Sequence, residues 1–182
     1  MSALNNKLAG QIGEYLVCAE LGRRGLIATP FSGNVPTFDV LATDEQLRTV
    51  PIQVKTSRTD NWNGDARNWL DITLDKASGV QLNRGLKILV NPELIYVYVA
   101  IAKPGEHDRF FVLTMADAQK AYSESYTAFM KKHEWRRPRN PESFDNRVHI
   151  GDIAKFEDNW ELITTRLKGS APDSSLTTEL NP

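Results

Sequence analysis

Nine consecutive residues, Leu94 to Ala102 (Leu-Ile-Tyr-Val-Tyr-Val-Ala-Ile-Ala), carry no charge and are rich in β-branched and aromatic side chains. Such a run, closed by Pro104-Gly105, reads as a strand buried on both faces. A strand of that kind needs other structure above and below it, so the run already implies a sheet covered on two sides. It is also far short of the roughly 20 apolar residues that a membrane span requires.

The surrounding sequence supplies the layers. Leu4, Leu8, Ile12, Leu16 and Ala19 recur at helical spacing, and the basic pair Arg23-Arg24 followed by Gly25 marks the helix end. Phe38 to Ala42 and Val50 to Thr56 read as strands joined by the polar turn Thr43-Asp44-Glu45-Gln46, which together predict a hairpin. Trp69 to Thr73 predicts a third strand, and the stretch from there to Asn91 carries no clear period. Arg109 to Leu113 pairs back on the apolar run. Thr114 is placed to cap a helix through Asp117, Ala121 and Phe129 to about His133. Arg147 to Ile150 reads as a short strand, and Asp152 as the cap of a last helix through Phe156, Trp160 and Leu162. Pro30 to Pro36, Ser57 to Arg67 and Pro138 to Asn146 are polar enough to be loops. These elements predict an α/β fold, a central mixed β-sheet flanked by helices, in a single domain over residues 1–167. Residues 168–182 begin Lys-Gly-Ser-Ala-Pro-Asp-Ser-Ser and predict a disordered tail.

Composition narrows the function classes. The 22 Lys and Arg against 23 Asp and Glu leave a net charge of −1, so any nucleic-acid partner must be met by a local gathering of positive charge. Lone Cys18 excludes a disulfide scaffold, and it reads as packed inside the first helix. Asn5, Asn6, Lys7 and Gln11 interrupt what would be the apolar core of a signal peptide, so a soluble cytoplasmic protein is expected. No phosphate-binding glycine loop and no nucleophile elbow occurs, and His107, His133 and His149 lack the spacing of metal ligands.

The informative segment is Gly10 to Arg58. Glu14 has Gly10, Gln11, Val17 and Cys18 as helical neighbours, a setting in which a carboxylate is costly unless paired or metal-bound. The hairpin turn centres near Gln46, midway between Asp39 and Gln53, which places those two opposite each other. Strand alternation sets Gln53 and Lys55 on one face and Ile52 and Val54 on the other. Taken singly, each has a plain structural reading: Glu14 as a residue at the margin of the core, Asp39 and Lys55 as a cross-strand ion pair. Taken together, Asp39, the Gln53 side-chain oxygen, the Val54 carbonyl and Glu14 form an oxygen set suited to Mg²⁺ or Mn²⁺. A metal there would polarise a phosphate oxygen and activate a water for phosphodiester hydrolysis, with Lys55 as the point charge beside the scissile phosphate.

Glu14, the helix end Arg23-Arg24-Gly25, Ser32-Gly33, Pro36-Thr37-Phe38-Asp39 and Ile52-Gln53-Val54-Lys55 follow one another in one order at compact spacing. Together they resemble the PD-(D/E)XK nuclease superfamily, the restriction-endonuclease-like fold. Within it they look most like archaeal Holliday-junction resolvases and the restriction-related enzymes with glutamine in the third motif. The resemblance implies that Glu14 is the helix carboxylate, Asp39 the metal-binding aspartate, Gln53 the counterpart of the usual acidic ligand and Lys55 the catalytic lysine. It also implies that Ser32 lies near the scissile phosphate. Gln53 departs from the acidic pattern: the amide keeps an oxygen and removes a negative charge, which should weaken metal affinity.

Further contacts to nucleic acid are expected from Arg58 and Arg67, which follow the Gln53–Lys55 strand. Lys131, Lys132, Arg136 and Arg137 form a basic cluster around Trp135, which could stack on a base. The same cluster reads more simply as a solvated helix end with Trp135 packed beneath it, since Glu134 dilutes the charge and Pro138 interrupts the helix. The function expected is that of a metal-dependent DNA endonuclease, a homodimer if it cuts both strands. Two other readings stand beside it: a catalytically degenerate nucleic-acid-binding module on the same fold, and a protein–protein adaptor.

Overall fold

A computed structural model describes residues 3–31 and 37–169, with side chains from Lys7 onward. The chain opens with helix α1 (Ala3–Arg23), then strands β1 (Ile27–Pro30), β2 (Val40–Thr43), β3 (Thr49–Ser57), β4 (Asn61–Asp65), β5 (Leu70–Asp75), β6 (Val80–Leu86), β7 (Ile95–Ala100) and β8 (Arg109–Thr114). Helix α2 (Met115–Lys132), β9 (Asp145–His149), α3 (Ile150–Ile153) and α4 (Glu161–Gly169) complete it. A five-stranded sheet runs β1-β2-β3-β7-β8, with β3 and β7 parallel and every other neighbour antiparallel. Two ribbons, β4–β9 and β5–β6, stand apart from it.

The expected mixed α/β architecture is present, and its physical reason is the run named first. Every residue of β7 from Ile95 to Ala100 is buried. Its side chains divide between two cores. Ile95, Val97 and Val99 join Val17, Leu21, Ile52 and Val54 beneath α1 and α4. Tyr96, Tyr98 and Ala100 join Trp62, Trp69, Phe111, Tyr122 and Tyr126 on the face covered by α2 and the ribbons. The hairpin forms as expected: Asp44 accepts the Gln46 and Arg48 backbone N–H groups at 3.0 Å each, which closes the turn. Thr114 caps α2, accepting the Asp117 N–H at 3.0 Å, and Arg109 to Thr114 pairs along β7.

Four expectations are corrected. The segment Ser57 to Arg67 is not a loop throughout, because Asn61 to Asp65 pairs with β9 some 80 residues on, a partner that no local pattern shows. Pro30 does not open a loop but ends β1, paired with Val40. The last helix is broken: the backbone passes from α3 through a 3-10 turn at Ala154–Phe156 to Asp158, whose φ of 52° stops it, and α4 starts at Glu161. Asp152 instead accepts the His149 N–H at 2.8 Å at the start of α3. Finally, α1 buries Ala9, Gly13, Val17 and Leu21, whereas Leu8 and Ile12 of the stripe that predicted it are exposed. Val80 to Leu86, which carried no clear period, is β6. Residues 170–182 of the expected tail, and the Ser32-Gly33 and Pro36 positions, lie outside the described residues. Among the described residues no helix is long and apolar enough to cross a membrane.

Candidate active site

The β2–β3 ladder sets the first pair. Val40 faces Ile52, so one further step of the register brings Asp39 beside Gln53. The Asp39 N–H donates to the Ile52 carbonyl at 2.9 Å, and the ladder ends there. Beyond it the side chain takes over from the backbone. Asp39 Oδ2 accepts the Val54 N–H at 2.7 Å and a short hydrogen bond from Gln53 Nε2. The N–H and C=O of one strand residue point to the same edge, so the Val54 carbonyl faces this open edge too. Asp39 Oδ1 accepts no hydrogen bond among the described residues.

Side-chain alternation along β3 is as expected: Ile52 and Val54 are buried under α1, while Gln53 and Lys55 are half-buried on the opposite face beside Tyr96 and Tyr98. The cross-strand ion pair between Asp39 and Lys55 does not form; neither residue is in an ion pair among the described residues. Burial, and then Tyr122 and Asp39, push the Tyr96 hydroxyl up to about 12, so it stays protonated beside Gln53.

Glu14 reaches the same edge from α1. Gly13 lets the helix come down on β3: a Cβ there would sit 2.0 Å from Thr56 Oγ1. This close approach holds the next residue, Glu14, half-buried and within electrostatic reach of Asp39. Burial first, and the Asp39 carboxylate second, push the Glu14 carboxyl above its usual range. The Cys18 thiol, one turn on, is pushed up by burial and by Glu14. Two carboxylates that repel one another, an amide and a backbone carbonyl make a hard oxygen set, and a divalent cation that keeps several waters fits it. Among the described residues no group of three or more His, Cys, Asp or Glu side chains is gathered to hold a metal ion, so the carboxylates of such a set number two, Glu14 and Asp39.

Beside Lys55 lies a cleft of about 250 Å³, lined by Lys55, Ser57, Arg58, Thr59, Asn61 and Asn63 among others. The sequence did not single out Asn61 and Asn63, which line this cleft, because their segment read as a loop; the available signal was their alternation about the buried Trp62. Arg67 lies elsewhere, tied to Asp65 at 2.6 Å and stacked over Phe144. Lys131 and Lys132 are exposed in the last turn of α2, and Arg136 donates to the Ser78 carbonyl at 3.1 Å. Arg137 donates to the Asp145 carbonyl and lies 5.1 Å over the Phe129 ring. Trp135 is half-buried against the core, edge-on to Tyr126 at 6.4 Å, so its ring offers no free stacking face on that side.

No protein-family model matches the sequence, and no curated protein does. Among solved structures the chain is similar to a bacterial homing endonuclease, I-Ssp6803I, with a TM-score of 0.53 and 14% sequence identity over 92% of this chain and 98% of that one. At that identity the likeness is one of fold. The molecule is thus a mixed α/β protein, its central mixed sheet flanked by helices, with a nuclease as a structural neighbour.

Proposed function

We propose that this chain is a metal-dependent DNA endonuclease of the PD-(D/E)XK kind, hydrolysing phosphodiester bonds with a metal-activated water and using Mg²⁺ or Mn²⁺. The observation that carries the reading is the meeting of Asp39 and Gln53 where the β2–β3 ladder ends, with the Val54 carbonyl at the open edge and Glu14 reaching in from α1. The homing-endonuclease neighbour supports it at the level of fold.

Asp39, Glu14, the Val54 carbonyl and the Gln53 oxygen would hold the ion. When bound, it supplies Lewis-acid polarisation of a phosphate oxygen and a lowered pKa for a water. Gln53 presents Nε2 to Asp39, so its amide must turn to offer Oε1. Lys55, two residues along the same face and outside any described ion pair, has its ammonium available for the scissile phosphate. There it stabilises the negative charge that grows in the transition state, or orients the attacking water. Arg58 lines the same cleft as Lys55, and in this reading it would contact the adjoining phosphate.

Asp39→Ala and Lys55→Ala should each lower Mg²⁺-dependent cleavage of supercoiled and branched DNA by about 100-fold or more, with circular dichroism unchanged. Equal residual activity in the wild type and both variants would overturn the assignment. The Gln53–Asp39 hydrogen bond also favours a second reading, a module that binds nucleic acid without cutting it, since it satisfies one Asp39 oxygen without a metal. That reading expects salt-sensitive binding and no metal-dependent cleavage on the same substrates.

A further inference from the structure

The β4–β9 ribbon leaves the main sheet three residues after the Lys55 strand ends. Its alternation buries Trp62, Asn146 and Val148 and turns Asn61, Asn63 and Asp65 on one strand and Asp145, Arg147 and His149 on the other to the opposite face, where Asp65, held by Arg67, lies opposite Asp145 at the far end. Asn63 and Arg147 are direct cross-strand partners, and Arg147 Nε donates to Asn63 Oδ1 at 2.9 Å. Asn63 also lines the Lys55 cleft, while Arg147 and His149 line a groove of about 540 Å³ together with Arg137, Arg139 and Phe129. The two hollows therefore adjoin one ribbon, on which a single polar surface runs from the candidate active site to the arginines.

Six arginines elsewhere lie in ion pairs, whereas Arg84 and Arg136, like the arginines of this groove, lie in none among the described residues. Arg23 and Arg24 pair with Glu20, Arg48 with Asp44, Arg67 with Asp65, Arg109 with Glu157 and Arg166 with Glu93. Among the described residues Arg137, Arg139 and Arg147 form no ion pair. Arg137 is held by a backbone carbonyl and a ring, and Arg147 by an amide. The buried Arg137 Nε has no hydrogen-bond partner at all. Asp145 on the groove wall and Asp65 beyond it offset part of the Arg137 charge, while Arg139 and Arg147 keep theirs outside any ion pair among the described residues. The wall is also preformed: buried Gln81 donates to the Pro141 and Ser143 carbonyls at 2.8 Å each, and Tyr126 donates to its Oε1 at 2.7 Å.

We propose that the outward face of the β4–β9 ribbon reads duplex DNA, Arg147 and Asn63 at base edges and Arg137 and Arg139 on the flanking phosphates. The inference rests on the nuclease reading for its choice of polymer and extends it to residues outside the metal site. A two-stranded ribbon fits the major groove of B-form DNA, whereas the deep, narrow major groove of A-form RNA excludes it. Five paired residues span about 16 Å, the axial length of about five base pairs. An unpaired strand would want bare aromatic rings, and here Phe129 already lies against Arg137 and His133. Arginine and asparagine are the side chains that make paired hydrogen bonds to guanine and adenine edges.

The full chain is tested with a 24-base-pair duplex pool of randomised sequence, by fluorescence anisotropy in EDTA over a salt series and by sequencing of cut ends in Mg²⁺. Arg139→Ala should weaken binding roughly five- to tenfold on every sequence and flatten the salt slope by about one. Arg147→Lys keeps the charge and loses the fork, so it should retain affinity within about twofold and lose base preference at the cut sites. If the wild type cuts and these variants bind and cut with the same affinity and preference, the ribbon proposal falls while the nuclease reading stands. If the wild type binds through Arg139 and never cuts, the nuclease reading falls and the ribbon proposal stands. Absence of duplex binding at low salt, or preference for a matched RNA, overturns the ribbon proposal.

Discussion

Glu14 is a carboxyl that folding makes harder to ionise, and the consequence is measurable. Its value in the fold lies above the ordinary 4.5, because of burial and then Asp39. The folded chain therefore keeps that proton over a window of pH in which the unfolded chain has lost it. Stability from this group is complete below the unfolded value and declines as pH rises through the folded one. Glu14→Gln should consequently raise the free energy of urea unfolding near neutral pH by about a few tenths of a kcal/mol, since solvent screens the half-buried group, and change nothing at about pH 4. A stabilisation equal at both pH values would show that Glu14 is not strained by charge. A bound divalent cation should reverse the sign near neutral pH, because the carboxylate then gains a partner.

At the scale of elements, the site depends on how closely α1 and β3 approach. Gly13 packs directly against Thr56, and Thr56 Oγ1 is buried there without a hydrogen-bond partner among the described residues. Gly13→Ala must push the helix off the strand or force the threonine aside. It should destabilise by about 1–3 kcal/mol in urea unfolding and also move Glu14 away from Asp39. Unchanged stability and metal response would mean that the contact does not set the helix height. Gly64 plays the same part on the ribbon, where a Cβ would stand 2.9 Å from the Tyr122 ring. Both glycines look ordinary in the sequence; only the element packed across from each makes it necessary. The hairpin was legible for the opposite reason, since its register follows from a polar turn between two short apolar runs. The burial of α1 was not, because the stripe Leu8-Ile12 competes with Ala9-Gly13-Val17-Leu21, and small residues win where a strand must come close.

Across the whole molecule, β7 links the two cores. With both faces covered and hydrogen-bonded neighbours on both edges, the amides of Val97 and Val99 should be the slowest to exchange with deuterium. Those of the β5–β6 ribbon should exchange orders of magnitude faster, since it stands off the main sheet and carries Leu82 and Leu86 exposed. Equal protection in both would mean that the ribbon and the sheet unfold as one unit. The split also explains the division of labour proposed above. β3, held between β2 and β7, gives Asp39 and Gln53 a fixed register, while the β4–β9 ribbon stands apart and carries Arg147, which is in no ion pair among the described residues.

The sequence alone determined what depends on neighbours along the chain: the doubly buried strand, the hairpin that opposes Asp39 and Gln53, the Thr114 cap, and the alternation that puts Lys55 with Gln53. Those follow from periodicity and turn chemistry, which act over a few residues. The tertiary structure decided what depends on partners far apart in sequence: the pairing of Asn61–Asp65 with Asp145–His149, the packing of half-buried Trp135 against the core, the closeness of Glu14 to Asp39, and which arginines form ion pairs among the described residues. A long-range pairing leaves little local trace because its energy comes from surfaces that meet only after the chain has closed large loops, and either partner alone reads as polar and irregular.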